Sequence, residues 1–135
     1  CSVMFFPEGT RSRDGRVQRF SDGAFRLAIE EGVPVLPIAI DGTHEALPKH
    51  SIWFEPNPEP IRVRVLDPVE TDEHTPDQAR ALQRHVRARI VLQIADWRGT
   101  DLDAVDGRSG TEAAAVRWID GPGGRGPVRG GRGLW

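Results

Sequence analysis

Seven consecutive residues, Phe6-Pro7-Glu8-Gly9-Thr10-Arg11-Ser12, gather the groups of this chain best suited to holding an anion. Arg11 offers a planar guanidinium of fixed charge whose paired N–H groups match phosphate oxygens. Gly9 has no Cβ, so its backbone can approach a ligand closely. Thr10 and Ser12 add hydroxyl and amide donors. Glu8 runs against this pattern, because a carboxylate repels a phosphate unless it bonds to a hydroxyl or orients Arg11. The set describes a phosphate cradle, and composition alone leaves a plain solvated connection as the alternative. The other candidates for chemistry are sparse. Four histidines (44, 50, 74, 85) read as solvated loop or helix-surface residues. The single cysteine, Cys1, excludes an intrachain disulfide and fits a reducing compartment, though it fits a secreted protein without a bridge equally well. No metal or bound cofactor is expected.

The elements around the loop follow from periodicity and turn chemistry. Ser2–Phe6 is an apolar run too short for a helix and ended by Pro7, which suits a buried strand. Residues 7–19 carry Pro, Gly, Ser, Thr and charge, as loops do. Ala24, Phe25, Leu27, Ala28 and Ile29 recur at helical spacing, with Asp22 placed to cap the start and Gly32 to stop the helix. Residues 33–40 (VPVLPIAI) predict a strand buried on both faces, with Pro34 and Pro37 forcing part of it to an edge or bulge. Strand, loop, helix, strand makes a βαβ unit, hence a parallel pair with the loop at the carboxyl end of its first strand, where open α/β sheets bind ligands. Residues 41–60 read as loop. Ile61–Leu66 alternates and predicts a strand with one solvated face. Thr75-Pro76 then gives an N-cap followed by proline at the first helical position, and Ala79, Leu82, Val86, Ile90 and Ile94 mark one helical face up to about Trp97. The expected class is α/β: a βαβ unit, a further strand and a C-terminal helix.

With 135 residues, 38% hydrophobic, the chain is sized for one compact domain, expected over residues 1–98, followed by a disordered Gly/Arg-rich tail over 99–135. Residues 108–135 hold five Arg against Glu112 and Asp120; subtracting that +3 from the total of −2 leaves −5 on the first 107 residues. No broad basic face for nucleic acid is therefore expected, although a Gly/Arg tail that contacts RNA is one alternative reading. No apolar run approaches the roughly 18 residues of a membrane span, so any membrane contact is expected to be peripheral. The abrupt opening Cys-Ser-Val-Met-Phe-Phe reads as a strand already under way, which predicts a fragment of a longer protein.

Phe6–Ser12 resembles the Phe-Pro-Glu-Gly-Thr-Arg-Ser block of the phospholipid/glycerol acyltransferase family, and residues 33–40 resemble its later Val-Pro-x-x-Pro-hydrophobic block at the expected distance, with Gly23-Ala24-Phe25 matching between them. The resemblance covers roughly residues 3–70 and implies a partial glycerol-3-phosphate acyltransferase-like fold. It also implies acyl transfer from acyl-CoA or acyl-carrier protein to a lysophosphatidate-type acceptor, in the cytoplasm and peripheral at the inner membrane surface. By resemblance Glu8, Gly9, Thr10, Arg11 and Ser12 fall on the acceptor-binding block, where the arginine grips the glycerol phosphate. Pro37 falls where the family shapes the acceptor or acyl-chain site. Ser21 departs from the pattern, standing where relatives often carry Lys or Arg. The larger departure concerns the base. The family draws it from an earlier His-x4-Asp block, whereas His44, His74 and His85 meet Lys49, Ala79 and Ile90 at that spacing, and His50 meets Glu55 but follows the phosphate loop. No catalytic residue is therefore assigned, and the chain alone is expected to be inactive. A non-catalytic phosphate- or lipid-binding remnant is the other reading left open.

Overall fold

The computed structural model describes residues 2–46 and 60–107. Cys1, His50 and residues 108–135 of the tail expected over 99–135 lie outside the described residues. The first part of that expected tail is instead folded, with a short helix at Leu102–Val105 and with Val105 and Asp106 buried, because Val105 packs into the core and Asp106 pairs with Arg87. The elements in chain order are α1 (Gly23–Glu30), β1 (Ile38–Asp41), α2 (Thr43–Ala46), β2 (Arg62–Val65), a 3₁₀ turn over Pro76–Gln78, α3 (Ala79–Arg98) and α4 (Leu102–Val105). Mixed helices and strands agree with the α/β class.

The long helix α3 forms where the periodicity put it. Thr75 and Gln78 close a capping box at its entry, with Pro76 in the first turn. Gly99 ends it in the left-handed conformation, its N–H bonded to Asp96 O and that of Thr100 to Ala95 O. Leu82, Val86, Val91 and Ile94 are fully or nearly fully buried on it and pack with Val17, Phe20, Phe25, Ile29, Ala39 and Val105 into one core. Each of the Val, Leu, Ile and Phe side chains contributes about 1.5–3 kcal/mol by leaving water. Phe20 and Phe25 stack with ring centroids 6.4 Å apart, fastening α1 to the segment before it. Asp22 does not cap α1 with its side chain. Its own backbone is already helical, and its carboxylate lies 3.5 Å from the Arg80 guanidinium instead.

The strands depart from expectation in three ways, each with a physical cause. First, Ser2–Phe6 joins no ladder among the described residues, and Val3, Met4, Phe5 and Phe6 are at least half exposed. A strand exists only with a hydrogen-bonding partner, so the parallel pair of the expected βαβ unit is not formed here. Second, β1 pairs antiparallel with β2, Ile38 opposite Val65 and Asp41 opposite Arg62. Pro34 and Pro37 have no N–H to donate, so the ladder is regular only beyond them; upstream it is reduced to a single bridge between Val35 and Val69. Third, the solvated face is the apolar one. Ala39 is fully buried, and Arg62 and Arg64 reach over α3 to Trp97 O (2.6 Å) and Gln93 Oε1 (3.1 Å). Ile40, Val63 and Val65, on the opposite face, are 40–60% exposed. The arginine stems lie along the helix while their charged ends find acceptors there, and among the described residues nothing covers the other face.

Candidate functional site

The loop from Phe6 to Gln18 is shaped by its own polar groups before anything else touches it. Gly9 adopts φ +67° and donates its N–H to Phe6 O at 3.0 Å, turning the chain sharply after Pro7. An added Cβ at Gly9 would meet nothing within 4 Å, so its backbone faces open space. Arg11 follows on the exposed side of that turn, as does Thr10, whose hydroxyl lies 3.5 Å from Arg11 O. Ser12 donates to Asp14 Oδ1 at 2.9 Å, and the Arg16 amide donates to the same oxygen at 3.1 Å. These two donors, with the Arg16 charge, hold the Asp14 carboxyl below the ordinary aspartate range.

The Glu8 carboxylate bonds to a backbone amide of the loop, not to a hydroxyl and not directly to Arg11. Its Oε2 accepts the Gln18 backbone N–H at 2.8 Å, closing residues 8–18 into a loop whose ends are ten residues apart in sequence. Burial pushes the Glu8 carboxyl up; the Gln18 amide and the Arg87 charge pull the other way without cancelling it, so its pKa lies above the ordinary glutamate range.

The loop is then fixed from below by two arginines of α3. Arg87, 2% exposed, donates from Nε to Gln18 O at 2.9 Å and from Nη2 to Val17 O at 2.5 Å. The rest of its fork meets Asp106, at 3.1 and 2.5 Å, a buried bidentate pair. Arg98 donates to Gly15 O at 2.9 Å and forks onto Asp41, with a shortest contact of 2.5 Å. Burial pushes the Asp41 carboxyl up, but hydrogen bonds and charge from Arg98, the Gly42 amide and the Arg62 charge outweigh it and hold it below the usual range. Gly15 itself has φ +69°, and a Cβ there would lie 2.6 Å from the His44 ring.

Glu8, Gly9, Thr10, Arg11 and Ser12 thus come together on one loop. Pro37 does not join them. It is buried at the start of β1, accepting the Leu66 N–H at 2.9 Å, whereas the loop meets β1 at its far end through Asp41 and Arg98. Four strand residues separate those ends, about 13 Å. The sequence reading missed Gln18, Asp41, Arg87, Arg98 and Asp106. Only Arg87 left a trace, as a charge beside Val86 on the apolar face of α3; the partners of the others are 10 to 83 residues away in sequence.

Residues 1–41 match the family model described as Acyltransferase. This segment belongs to the acyltransferase family. Among curated relatives, a 1-acyl-sn-glycerol-3-phosphate acyltransferase of Limnanthes douglasii is 44% identical over 77 residues, covering 57% of this chain and 27% of the relative. The enzyme of that name from Salmonella typhimurium is 37% identical over 95 residues, 70% of this chain and 37% of the relative. The human alpha form is 34% identical over 124 residues, 92% of this chain and 39% of the relative. The crystal structure of the 1-acyl-sn-glycerophosphate (LPA) acyltransferase PlsC from Thermotoga maritima superimposes with a TM-score of 0.60 at 28% identity, over 78% of this chain and 39% of that one. The chain therefore spans between about a quarter and two fifths of the length of these relatives, and its acyltransferase-type fold is shared with a solved member over most of its residues.

Proposed function

We propose that this chain carries the acceptor-phosphate cradle of a 1-acylglycerol-3-phosphate acyltransferase. The reaction moves a fatty acyl group from acyl-CoA or acyl-carrier protein onto the free hydroxyl of a lysophosphatidate-type acceptor. That hydroxyl attacks the thioester carbonyl, its proton passes to a base, and the tetrahedral oxyanion collapses with release of the thiol. Arg11 grips the acceptor phosphate in this scheme, Gly9 brings backbone close to it, and Thr10 and Ser12 contribute donors, Ser12 by exchanging Asp14 for the ligand. Pro37 acts at a distance from the cradle, shaping the strand beside which the acceptor or acyl chain lies. The acceptor is a lipid, so the cradle works at a membrane surface, peripherally and on the cytoplasmic face of the inner membrane. No helix among the described residues is long and apolar enough to cross a membrane.

The observation that carries this reading is the placement of Arg11, exposed on a turn that Glu8 and Gly9 hold in shape, with the Glu8 carboxylate engaged by a backbone amide. The 135 residues contain no His-x4-Asp pair, so the chain by itself binds without transferring. Titrating the purified chain with 1-acyl-glycerol-3-phosphate below its micelle concentration, and repeating with Arg11→Ala, tests both parts. Loss of the guanidinium lowers affinity by about ten- to a hundredfold, as expected for hydrogen bonds to charged groups. Equal binding by the two proteins refutes the cradle, and thioester-dependent acylation by the chain alone refutes the assignment of no base.

A further inference from the structure

Arg87 and Arg98 stand eleven residues apart, three turns of α3, and so on nearly the same helical face. Each divides its fork in the same manner. One side meets an acid of another element, Asp106 or Asp41, and the other meets backbone carbonyls of the segment that follows the phosphate loop: Gly15 O for Arg98, Val17 O and Gln18 O for Arg87. Between those carbonyls lies the Gln18 amide that Glu8 accepts. The acids hold the guanidinium planes still, the guanidiniums hold residues 15–18, and residue 18 holds Glu8 at the turn into Gly9 and Arg11.

Resting on the phosphate-cradle reading above, we propose that Arg87, with its partner Asp106, and Arg98, with its partner Asp41, are positioning residues that set the conformation of the 8–18 loop and so the direction in which Arg11 meets the acceptor phosphate. Neither arginine touches the ligand. Their effect passes through three carbonyls and one carboxylate, which distinguishes it from simple core filling: the ion pair with Asp106 can be replaced by apolar side chains without loss of the packing around it, but the loop carbonyls then lose their donor.

The test uses the whole chain and the double variant Arg87→Met/Asp106→Leu, which leaves no buried charge unpaired, together with Arg98→Met. Three quantities are read: the urea midpoint, the Glu8 carboxyl titration by ¹³C NMR, and hydrogen exchange at the Gln18 amide. The sign of the Glu8 change is decisive. If the loop stays in place and merely loses a nearby positive charge, the Glu8 pKa rises further. If the loop is released, Glu8 becomes solvated, burial ceases to push its pKa up, and the value falls back to the ordinary glutamate range. The expected result for the double variant is a urea midpoint close to the parent's, a falling Glu8 pKa and faster Gln18 exchange, with Arg98→Met giving a smaller change of the same sign. Affinity for glycerol 3-phosphate then falls by roughly tenfold, the effect of losing well-directed hydrogen bonds to one charged group. A rising or unchanged Glu8 pKa with protected Gln18 overturns the proposal. So does a double variant that no longer folds, since the pair is then part of the global scaffold. The loop measurements need no ligand. Should the parent and Arg11→Ala bind glycerol 3-phosphate equally, the functional reading fails while the positioning of the loop is still decided by Glu8 and Gln18.

Discussion

Of the loop's two glycines at positive φ, Gly15 is the one with no room for a Cβ, and replacing it with alanine has a cost that can be divided. Its φ of +69° places an L side chain in the left-handed region, a penalty of about 1–2 kcal/mol. The added Cβ would also stand 2.6 Å from Cε1 and Nε2 and 2.9 Å from Nδ1 of His44. Ordinary contact begins near 3.4 Å, so the imidazole must withdraw by about 0.8 Å, at a cost on the order of 1–3 kcal/mol for overpacking. If the strain reaches the carbonyl, the 2.9 Å bond from Arg98 weakens too. Urea unfolding of the parent, Gly15→Ala, His44→Ala and the double variant separates these parts. With both substitutions present only the backbone penalty remains, so Gly15→Ala should cost at least 1 kcal/mol less in the His44→Ala background, well outside the scatter of about 0.3–0.5 kcal/mol seen for independent sites. Equal costs in the two backgrounds would refute the reasoning, because the glycine would then be required for its torsion alone.

Further outcomes follow from single groups. Thr71 is 1% exposed and donates to Val33 O at 3.0 Å, with Ala28 O at 3.4 Å, so Thr71→Val should lower stability by about 1–2 kcal/mol, read as a lower urea midpoint at unchanged m-value. Asp41, held below the usual aspartate range in the folded state, contributes stability that is present above its unfolded pKa and lost as pH falls through the lowered one. Asp41→Asn should therefore flatten the acid limb of the stability–pH curve. Glu8 has the opposite sign: with its pKa raised on folding, its contribution is present below the unfolded value and lost as pH rises through the folded one. Glu8→Gln, which keeps an oxygen for the Gln18 amide, should gain stability relative to the parent toward neutral pH and not in acid; a uniform change at all pH values would contradict it.

The turn and the long helix were legible from residue types because their causes are local. Gly9 beside Pro7 makes a sharp turn possible, Thr75, Pro76 and Gln78 build a cap within four residues, and the apolar spacing of α3 selects the face that is buried. The gathering of residues 8–12 on one loop followed from adjacency alone. What the sequence could not decide is which backbone groups find which distant partners. Antiparallel pairing of β1 with β2 depends on a partner segment more than twenty residues away, and the extended run at Ser2–Phe6 has no such partner among the described residues. The alternation of Ile61–Leu66 indicated two unlike faces but not that the arginine face would lie on the helix, since that choice belongs to the acceptors offered by Trp97 and Gln93. The loop's anchors are the clearest case. Periodicity could mark Arg87 as a charge on an apolar stripe, but only the packed helix brings it to Asp106 and to the carbonyls of Val17 and Gln18, because hydrogen-bond geometry is fixed in three dimensions and leaves no pattern along the chain.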